Sequence, residues 1–120
     1  MNDTAAEDKS KKAKASRSKG KRGEREVVNI LKLYGFQAKR GWQTRADVKE
    51  PDVITDLPFW LEVKNQEKLN IKGAIKQAES DNSSNNPSCV VFKAAAGRWY
   101  AAVTLPDLIK LCIQTYVHKL

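Results

Sequence analysis

The 120-residue chain is poor in the residues on which disulfide-rich and histidine-metal domains depend. It has two cysteines, Cys89 and Cys112, on separate predicted elements and without the spacing of a metal site, so we expect two reduced thiols in the core. Its one histidine, His118, lies near the end of the last predicted helix. A single histidine excludes metal sites built from several histidines, and we do not expect His118 to be a ligand.

Long apolar segments are also lacking. No run approaches the roughly 18 apolar residues needed to span a bilayer, and the lysine-rich N-terminus has no apolar stretch typical of a secretion signal. We therefore expect an intracellular protein that does not enter a membrane. With 41% hydrophobic residues the chain is long enough for one modest core, which predicts a single domain over residues 19–120.

Acidic residues are outnumbered, since 22 Lys and Arg stand against 14 Asp and Glu. Residues 1–22 hold eight basic and three acidic side chains, a net charge of +5 out of the total of +8. Residues Lys9–Lys19 show no apolar period, which predicts a flexible basic tail over residues 1–18 that becomes ordered on a polyanion. Nucleic acid is the favoured partner, and a tail that only improves solubility is the alternative. A membrane surface is disfavoured because the tail lacks an apolar face.

Periodicity in the rest of the chain predicts an α/β fold with the element order α-β-β-β-α-β-β-α. A first helix from Glu24 to Tyr34 carries apolar residues at helical spacing and ends at Gly35. Asn70 caps a second helix, and Thr104 with Asp107 begins a third. Short apolar runs predict five strands, at residues 36–40, 53–54, 60–64, 89–92 and 99–103.

A carboxylate and an ammonium group share one face of the third predicted strand. Apolar and polar side chains alternate there, so Leu61 and Val63 enter the core. Glu62 and Lys64 then share the opposite face, roughly 7 Å apart. Asp52 begins the preceding strand, and an Asp-Leu-Pro sequence between the two strands indicates a turn. The strands therefore pair as a hairpin that brings Asp52 within reach of Glu62.

Glu24 lies on the inward side of the first turn of the first predicted helix. It precedes apolar positions of that helix by three, four and seven residues, so it does not project toward bulk solvent. A carboxylate that only complements the helix dipole is the alternative, worth a few tenths of a kcal/mol. The acids of the hairpin favour a role for Glu24 in a site.

These residue types suit the cleavage of phosphodiesters. Mg²⁺ prefers oxygen ligands and is commonly held by one or two carboxylates, so Asp52 and Glu62 suffice, with the main-chain carbonyl of Val63 as a third ligand. Glu24 would join through water, and Lys64 would position the attacking water or offset charge in the transition state. Mn²⁺ is the alternative cofactor. A lone Glu-x-Lys is typically a solvated pair, so the interpretation rests on all these residues together.

The Pro51-Asp52 and Glu62-Val63-Lys64 motifs, in this element order, resemble those of the PD-(D/E)xK nuclease superfamily. The resemblance implies a restriction-endonuclease-like fold, with a mixed central sheet flanked by helices. Residues Lys19–Val103 further resemble the archaeal-type Holliday junction resolvases, through three motifs: Lys19-Gly20, Gly23-Glu24-Arg25-Glu26 and Tyr34-Gly35-Phe36.

The resemblance implies a homodimer that nicks opposing strands of a four-way DNA junction, in DNA recombination and repair. It assigns the catalytic role to four residues: Glu24, Asp52, Glu62 and Lys64. Arg25 and Arg40 correspond to DNA-contacting arginines. Basic residues that flank the site in sequence complete the expected contacts with phosphates: Lys19, Lys21, Arg22, Arg25, Lys39, Arg40 and Arg45.

Some assignments stay open. The segment from Gly41 to Glu50 does not match the family strongly and contains Asp47, an alternative metal ligand to Asp52; we retain Asp52 because it begins a strand that faces Glu62. The dimer surface has two candidates, the strand Trp99–Val103 and the last helix. The sequence predicts a Mg²⁺-dependent, structure-selective endonuclease. Another nuclease of the same fold, of restriction or flap-cutting type, and a non-catalytic nucleic-acid-binding domain are the alternatives.

Overall fold

A computed structural model describes the backbone of residues 3–41, 49–66 and 68–119. Eight elements follow one another along the chain: α1 (Asp3–Leu33), β1 (Ala38–Arg40), β2 (Val53–Thr55), β3 (Trp60–Lys64), α2 (Ile71–Asp81), β4 (Ser88–Lys93), β5 (Trp99–Ala102) and α3 (Leu105–Lys119). This is the predicted order, which is confirmed. The predicted cap of α2 is also present, because the side chain of Asn70 accepts a hydrogen bond from the amide of Gly73 at 3.1 Å.

The five strands form one mixed sheet in the order β1-β2-β3-β4-β5. β3 and β4 are parallel and are joined through α2, whereas the other neighbouring strands are antiparallel. The hairpin of β2 and β3 was predicted from the Asp-Leu-Pro turn, and it is confirmed. The predicted α/β fold with a mixed central sheet is confirmed as well.

Helices cover both faces of this sheet. Val27 and Val28 of α1 pack on Leu61 and Val63 of β3, in a buried cluster that also includes Val53 and Cys89. A smaller cluster on α2 contains Ala74, Ala78 and Val90. Successive residues of β4 enter different clusters, because neighbouring side chains on a strand point to opposite faces. The inward direction predicted for Leu61 and Val63 is therefore correct.

Helix α1 begins far earlier than predicted. The sequence analysis placed a flexible tail over residues 1–18, whereas the structure extends the helix back to Asp3. The segment contains no proline and no glycine before Gly20, and it is rich in Ala and Lys, which favour helix. The absence of an apolar period therefore did not indicate the absence of a helix. The C-terminal end is as predicted: Gly35 has φ +93°, and the amide of Phe36 donates to the carbonyl of Leu31 at 3.0 Å.

Helix α3 presents its apolar side to solvent. Six large apolar side chains on it are between 47% and 67% exposed: Leu105, Leu108, Ile109, Ile113, Tyr116 and Val117. Asp107, Lys110 and Gln114 lie on the other side and line a groove with the loop before β4. No helix in the described ranges is long and apolar enough to cross a membrane.

The two cysteines differ in their surroundings. Both are free thiols, as predicted, but Cys89 is buried whereas Cys112 is exposed on α3. The prediction of a core thiol is correct for Cys89 and wrong for Cys112, because the side of α3 that carries Cys112 faces outward. Burial raises the pKa of the Cys89 thiol to about 11.

Candidate active site

Asp52 lies where β2 and β3 diverge. The two strands are in register at Val53 and Leu61, and the amide of Asp52 donates to the carbonyl of Leu61 at 3.0 Å. Beyond that point the amide of Val63 donates to Oδ2 of Asp52 at 2.8 Å. The main chain of β3 therefore holds the carboxylate at the open end of the hairpin.

Gly41 brings the end of β1 against the same segment. Its amide donates to the carbonyl of Asp52 at 2.8 Å, and a Cβ at this position would lie 1.8 Å from the carbonyl oxygen of Pro51. Any side chain would force the two segments apart, since such an approach is possible only for glycine. The backbone of Asp52 is thus held from both neighbouring strands.

Glu62 lies beside Asp52 and is held by Trp60. The indole Nε1 of Trp60 donates to Oε1 of Glu62 at 2.9 Å, which is possible because residues two apart on a strand share one face. Burial, and then the hydrogen bond and negative charge of Asp52, raise the pKa of Glu62 to about 8, against the smaller opposing effects of Trp60 and Lys64. Two carboxyl groups therefore meet in a partly desolvated place, where one of them takes up a proton unless a cation compensates the charge.

Glu24 approaches Asp52 from the first helix. The residue is only 6% exposed, and its Oε2 accepts hydrogen bonds from Nη2 and Nε of Arg40 at 3.3 and 3.4 Å. Burial raises the pKa of Glu24, the negative charge of Asp52 raises it further, and Arg40 and Lys21 oppose the shift. The inward position predicted for Glu24 is the observed one, and the helix buries it toward Asp52.

A single cleft of about 810 Å³ joins Glu24 and Asp52. Four of the residues predicted to be catalytic or to bind metal line it: Glu24, Asp52, Val63 and Lys64. Glu62 is not among the described residues that line the cleft, although it is hydrogen-bonded to Asp52. The wall of the cleft is basic, and it includes Arg17, Lys19, Lys21, Arg40 and Lys68. The described site thus combines an acidic floor with a rim that suits a polyanion.

Asp52 and Glu62 form a pair of carboxyl groups with Glu24 nearby, and the three do not form a complete set of metal ligands. Within residues 3–41, 49–66 and 68–119, no three His, Cys, Asp or Glu side chains are grouped as a metal site. Mg²⁺ does not need such a group, since it retains several waters and is held by one or two carboxylates. Asp52 and Glu62, with the main-chain oxygen of Val63, therefore provide a donor set that fits this ion.

The predicted DNA-contacting residues are distributed over several surfaces. Lys19, Lys21 and Arg40 line the cleft, but Arg40 also forms the ion pair with Glu24. Arg22 lines a neighbouring hollow with Lys19 and Lys93. The remaining residues lie elsewhere: Arg25 is exposed on α1, and Lys39 lines a separate hollow near the turn that ends α1. Arg45 and the competing ligand Asp47 lie outside the described residues.

Close packing of α1 on the sheet involves residues that sequence reasoning missed. A Cβ on Gly23 would lie 2.9 Å from Cβ of Asn65 and 3.2 Å from the ring of Trp99. The side-chain amide of Asn65 donates to the carbonyl of Lys19 at 3.0 Å. Gly23 immediately precedes Glu24, so this contact sets how deeply Glu24 enters the cleft. No local pattern indicates such a contact, whereas the pairing of Trp60 with Glu62 follows from strand alternation.

Comparison with known proteins gives a fold. No family model matches the chain, and no curated protein matches it. Among solved structures, Hjc of Archaeoglobus fulgidus, a Holliday junction resolvase from an archaeal hyperthermophile, is 20% identical, with a TM-score of 0.51 over 70% of this chain and 76% of that one. The chain shares the fold of that resolvase. The resemblance inferred from sequence motifs is confirmed at the level of the fold.

Proposed function

We propose that the chain is a metal-dependent, structure-selective DNA endonuclease that resolves four-way Holliday junctions by paired nicks. One observation supports this most strongly: Glu24, Asp52, Val63 and Lys64 line a single cleft with a basic rim, in a fold shared with a Holliday junction resolvase. Glu24 comes from α1, Asp52 from the segment before β2, and Lys64 from β3. Three separate parts of the chain therefore supply side chains to one cleft, and a purely structural role for these residues does not account for that.

Asp52 and Glu62 would hold Mg²⁺, or Mn²⁺ in its place, with the carbonyl of Val63 as a third ligand and Glu24 acting through water. The bound ion would supply an activated water and offset the negative charge that develops on the phosphoryl oxygens. Two carboxyl groups within hydrogen-bonding distance, one of them partly buried and bonded to Trp60, are an oxygen-rich donor set that a divalent cation would stabilise.

The other residues position these groups and the substrate. Lys64 lines the cleft next to Asp52 and would place the attacking water or offset transition-state charge. Arg40 orients Glu24 through its ion pair, and Trp60 orients Glu62. Lys19 and Lys21 would bind phosphates at the rim, which gives affinity without base preference. Selectivity would then arise from the shape of the branched DNA.

Product mapping on synthetic four-way junctions tests the proposal. We expect Mg²⁺-dependent, symmetrically paired nicks that a chelator abolishes. Asp52→Asn and Glu62→Gln should each lower the single-turnover rate at least about 100-fold while junction binding persists. Asp56→Asn and Glu79→Gln are the matched controls, because both acids are exposed and lie outside the cleft. Both control variants should cut at the parent rate.

Each competing function has its own outcome in this assay. Equal cutting of linear duplex would point to a restriction-type nuclease, and cutting confined to single-stranded ends to a flap nuclease. Junction binding without metal-dependent cleavage would indicate a non-catalytic DNA-binding domain. Cleavage that survives both Asp52→Asn and Glu62→Gln would show that the acids are structural.

Paired nicking requires two copies of the site, and α3 offers the surface for a homodimer. Its polar residues Asp107, Lys110 and Gln114 line a groove of this chain, whereas its apolar side faces solvent. Isolated exposed apolar residues are common, but six spread over one half of a helix indicate a binding surface. A second α3 is complementary to that face, as in an isologous dimer with twofold symmetry.

Sedimentation equilibrium tests this assembly. We expect a dimer for the parent chain and a monomer for Ile113→Glu, which places a charge in the apolar face. Gln114→Glu adds the same charge on the other side of α3 and should remain dimeric. A parent chain that stays monomeric at micromolar concentration, or a dimer unaffected by Ile113→Glu, would exclude this interface.

A further inference from the structure

The N-terminal part of α1 extends beyond the body of the protein. The helix has 31 residues, which corresponds to a length of about 46 Å at 1.5 Å per residue. Residues 3–19, here called the helical arm, account for about 26 Å of this length. Every described side chain of the arm, from residue 8 to residue 19, is exposed. The molecule is accordingly elongated, with principal dimensions of 70 × 34 × 26 Å.

The arm continues the same helix face that packs on the sheet. Leu31, Val27 and Glu24 recur at steps of four and three residues, and they face the sheet and the cleft. The same steps continue to Gly20 and Arg17, which line the cleft, and then to Ala13. Residues at this spacing share one side of a helix. The arm therefore presents to the region above the cleft the face that carries the catalytic glutamate.

Basic side chains border this face on both sides. Lys14 and Lys21, seven residues apart, lie on one border. Lys12 and Lys19, seven residues apart, lie on the other. Residues 8–19 contain six basic side chains and one acid, Asp8. Between the two rows lie the small residues Ala13 and Gly20 and the basic residue Arg17, so a phosphate backbone along this face would meet positive charge in the middle as well as at both borders.

We propose that the helical arm is a duplex-binding element that lies along the DNA leading away from the cleavage site. The proposal rests on the proposed nuclease function, and it adds a binding surface beyond the cleft. An arm of about 26 Å would follow about eight base pairs, at 3.4 Å per base pair. Its contacts are with phosphates, so they would extend the footprint without adding base preference.

Binding to four-way junctions of two sizes tests the arm. In junctions with about 8 base pairs per branch the cleft is filled but the arm has little duplex to contact, whereas branches of about 20 base pairs pass under it. We expect the parent chain to bind the longer junction about tenfold more tightly. Combined Lys9→Gln, Lys12→Gln and Lys14→Gln should remove this preference. The salt slope on the longer junction should fall by about 2.7, or 0.9 for each lost contact.

A matched control removes the same charge elsewhere. Combined Lys32→Gln, Lys72→Gln and Lys76→Gln neutralises three exposed lysines that lie outside the arm and outside the cleft. This variant should retain the preference for longer branches. If both triple variants lose the same amount of affinity on both junctions, net charge alone explains binding and the arm is not a specific element.

A second variant separates a helical arm from a loose basic tail. Ala13→Pro keeps every charge but interrupts the helix ten residues before Gly23, where α1 meets the sheet. Ala13→Ser is its control, since serine continues a helix at small cost. We expect Ala13→Pro to lose the preference for longer branches and Ala13→Ser to keep it. A proline variant that binds like the parent would overturn the proposal.

Failure of the arm and failure of the nuclease function give different results. If the parent chain cuts junctions but shows no dependence on branch length, only the arm proposal fails. If it never cuts but prefers longer branches through Lys9, Lys12 and Lys14, the arm binds DNA and the nuclease function fails.

Discussion

Two glycines on one helix test whether the packing of α1 positions the site. A Cβ on Gly23 would meet Asn65 at 2.9 Å and Trp99 at 3.2 Å, whereas a Cβ on Gly20 would meet nothing within 4 Å. Gly20→Ala should therefore stabilise the protein by about 0.5–1 kcal/mol, the gain in helix propensity. Gly23→Ala gains the same propensity but crowds β-carbon and ring atoms that have no flexible end to move.

Overpacking of this kind costs about 1–3 kcal/mol. Because helix propensity cancels between the two variants, Gly23→Ala should be less stable than Gly20→Ala by about 1–3 kcal/mol. Urea unfolding followed by far-ultraviolet circular dichroism measures the difference, at one fixed protein concentration because a dimer would make stability depend on it. Equal stabilisation by both substitutions would refute the close docking of α1 on Asn65 and Trp99.

Further predictions concern the helix cap, the thiols and the partly buried Glu62. Asn70→Ala removes the bond to the amide of Gly73 and should lower the free energy of unfolding by about 1 kcal/mol in urea titrations; an unchanged value would contradict the role of this cap. Ellman's reagent should modify Cys112 in the native protein and Cys89 only after unfolding; rapid reaction of both would contradict the burial of Cys89. The pKa of Glu62 is raised from 4.5 to about 8, so within this range the folded chain retains a proton that the unfolded chain has released. Stability in chelator should therefore fall as the pH rises through the range, and Glu62→Gln should make this decline smaller, because the raised pKa of Glu24 still contributes to it.

The fold and much of the site followed from local patterns. Alternation along β3 correctly separated Leu61 and Val63 from Glu62, and the turn before β3 correctly paired it with β2. These results depend only on the two-residue period of a strand and on turn chemistry. The contact between Asp52 and Glu62 is a direct geometric consequence of that hairpin.

Features that depend on distant residues or on competing preferences were not predicted. The basic tail was predicted to be flexible because it is highly charged and has no apolar period. A helix rich in Ala and Lys does not require an apolar period. The contact of Gly23 with Asn65 and Trp99 joins segments far apart in the chain, so no local pattern reports it. The sequence named the last helix as one of two candidate dimer surfaces, but it could not show that the apolar residues of this helix face solvent.

The bond that orients Asp52 has a consequence for mutational tolerance. Its donor is the peptide N–H of Val63, which every amino acid except proline possesses. Substitutions at residue 63 would change the filling of the core while leaving that donor in place. The orientation of Asp52 therefore depends on backbone geometry. It should tolerate substitution of residue 63 better than an orientation that depends on a salt bridge to a side chain at that position.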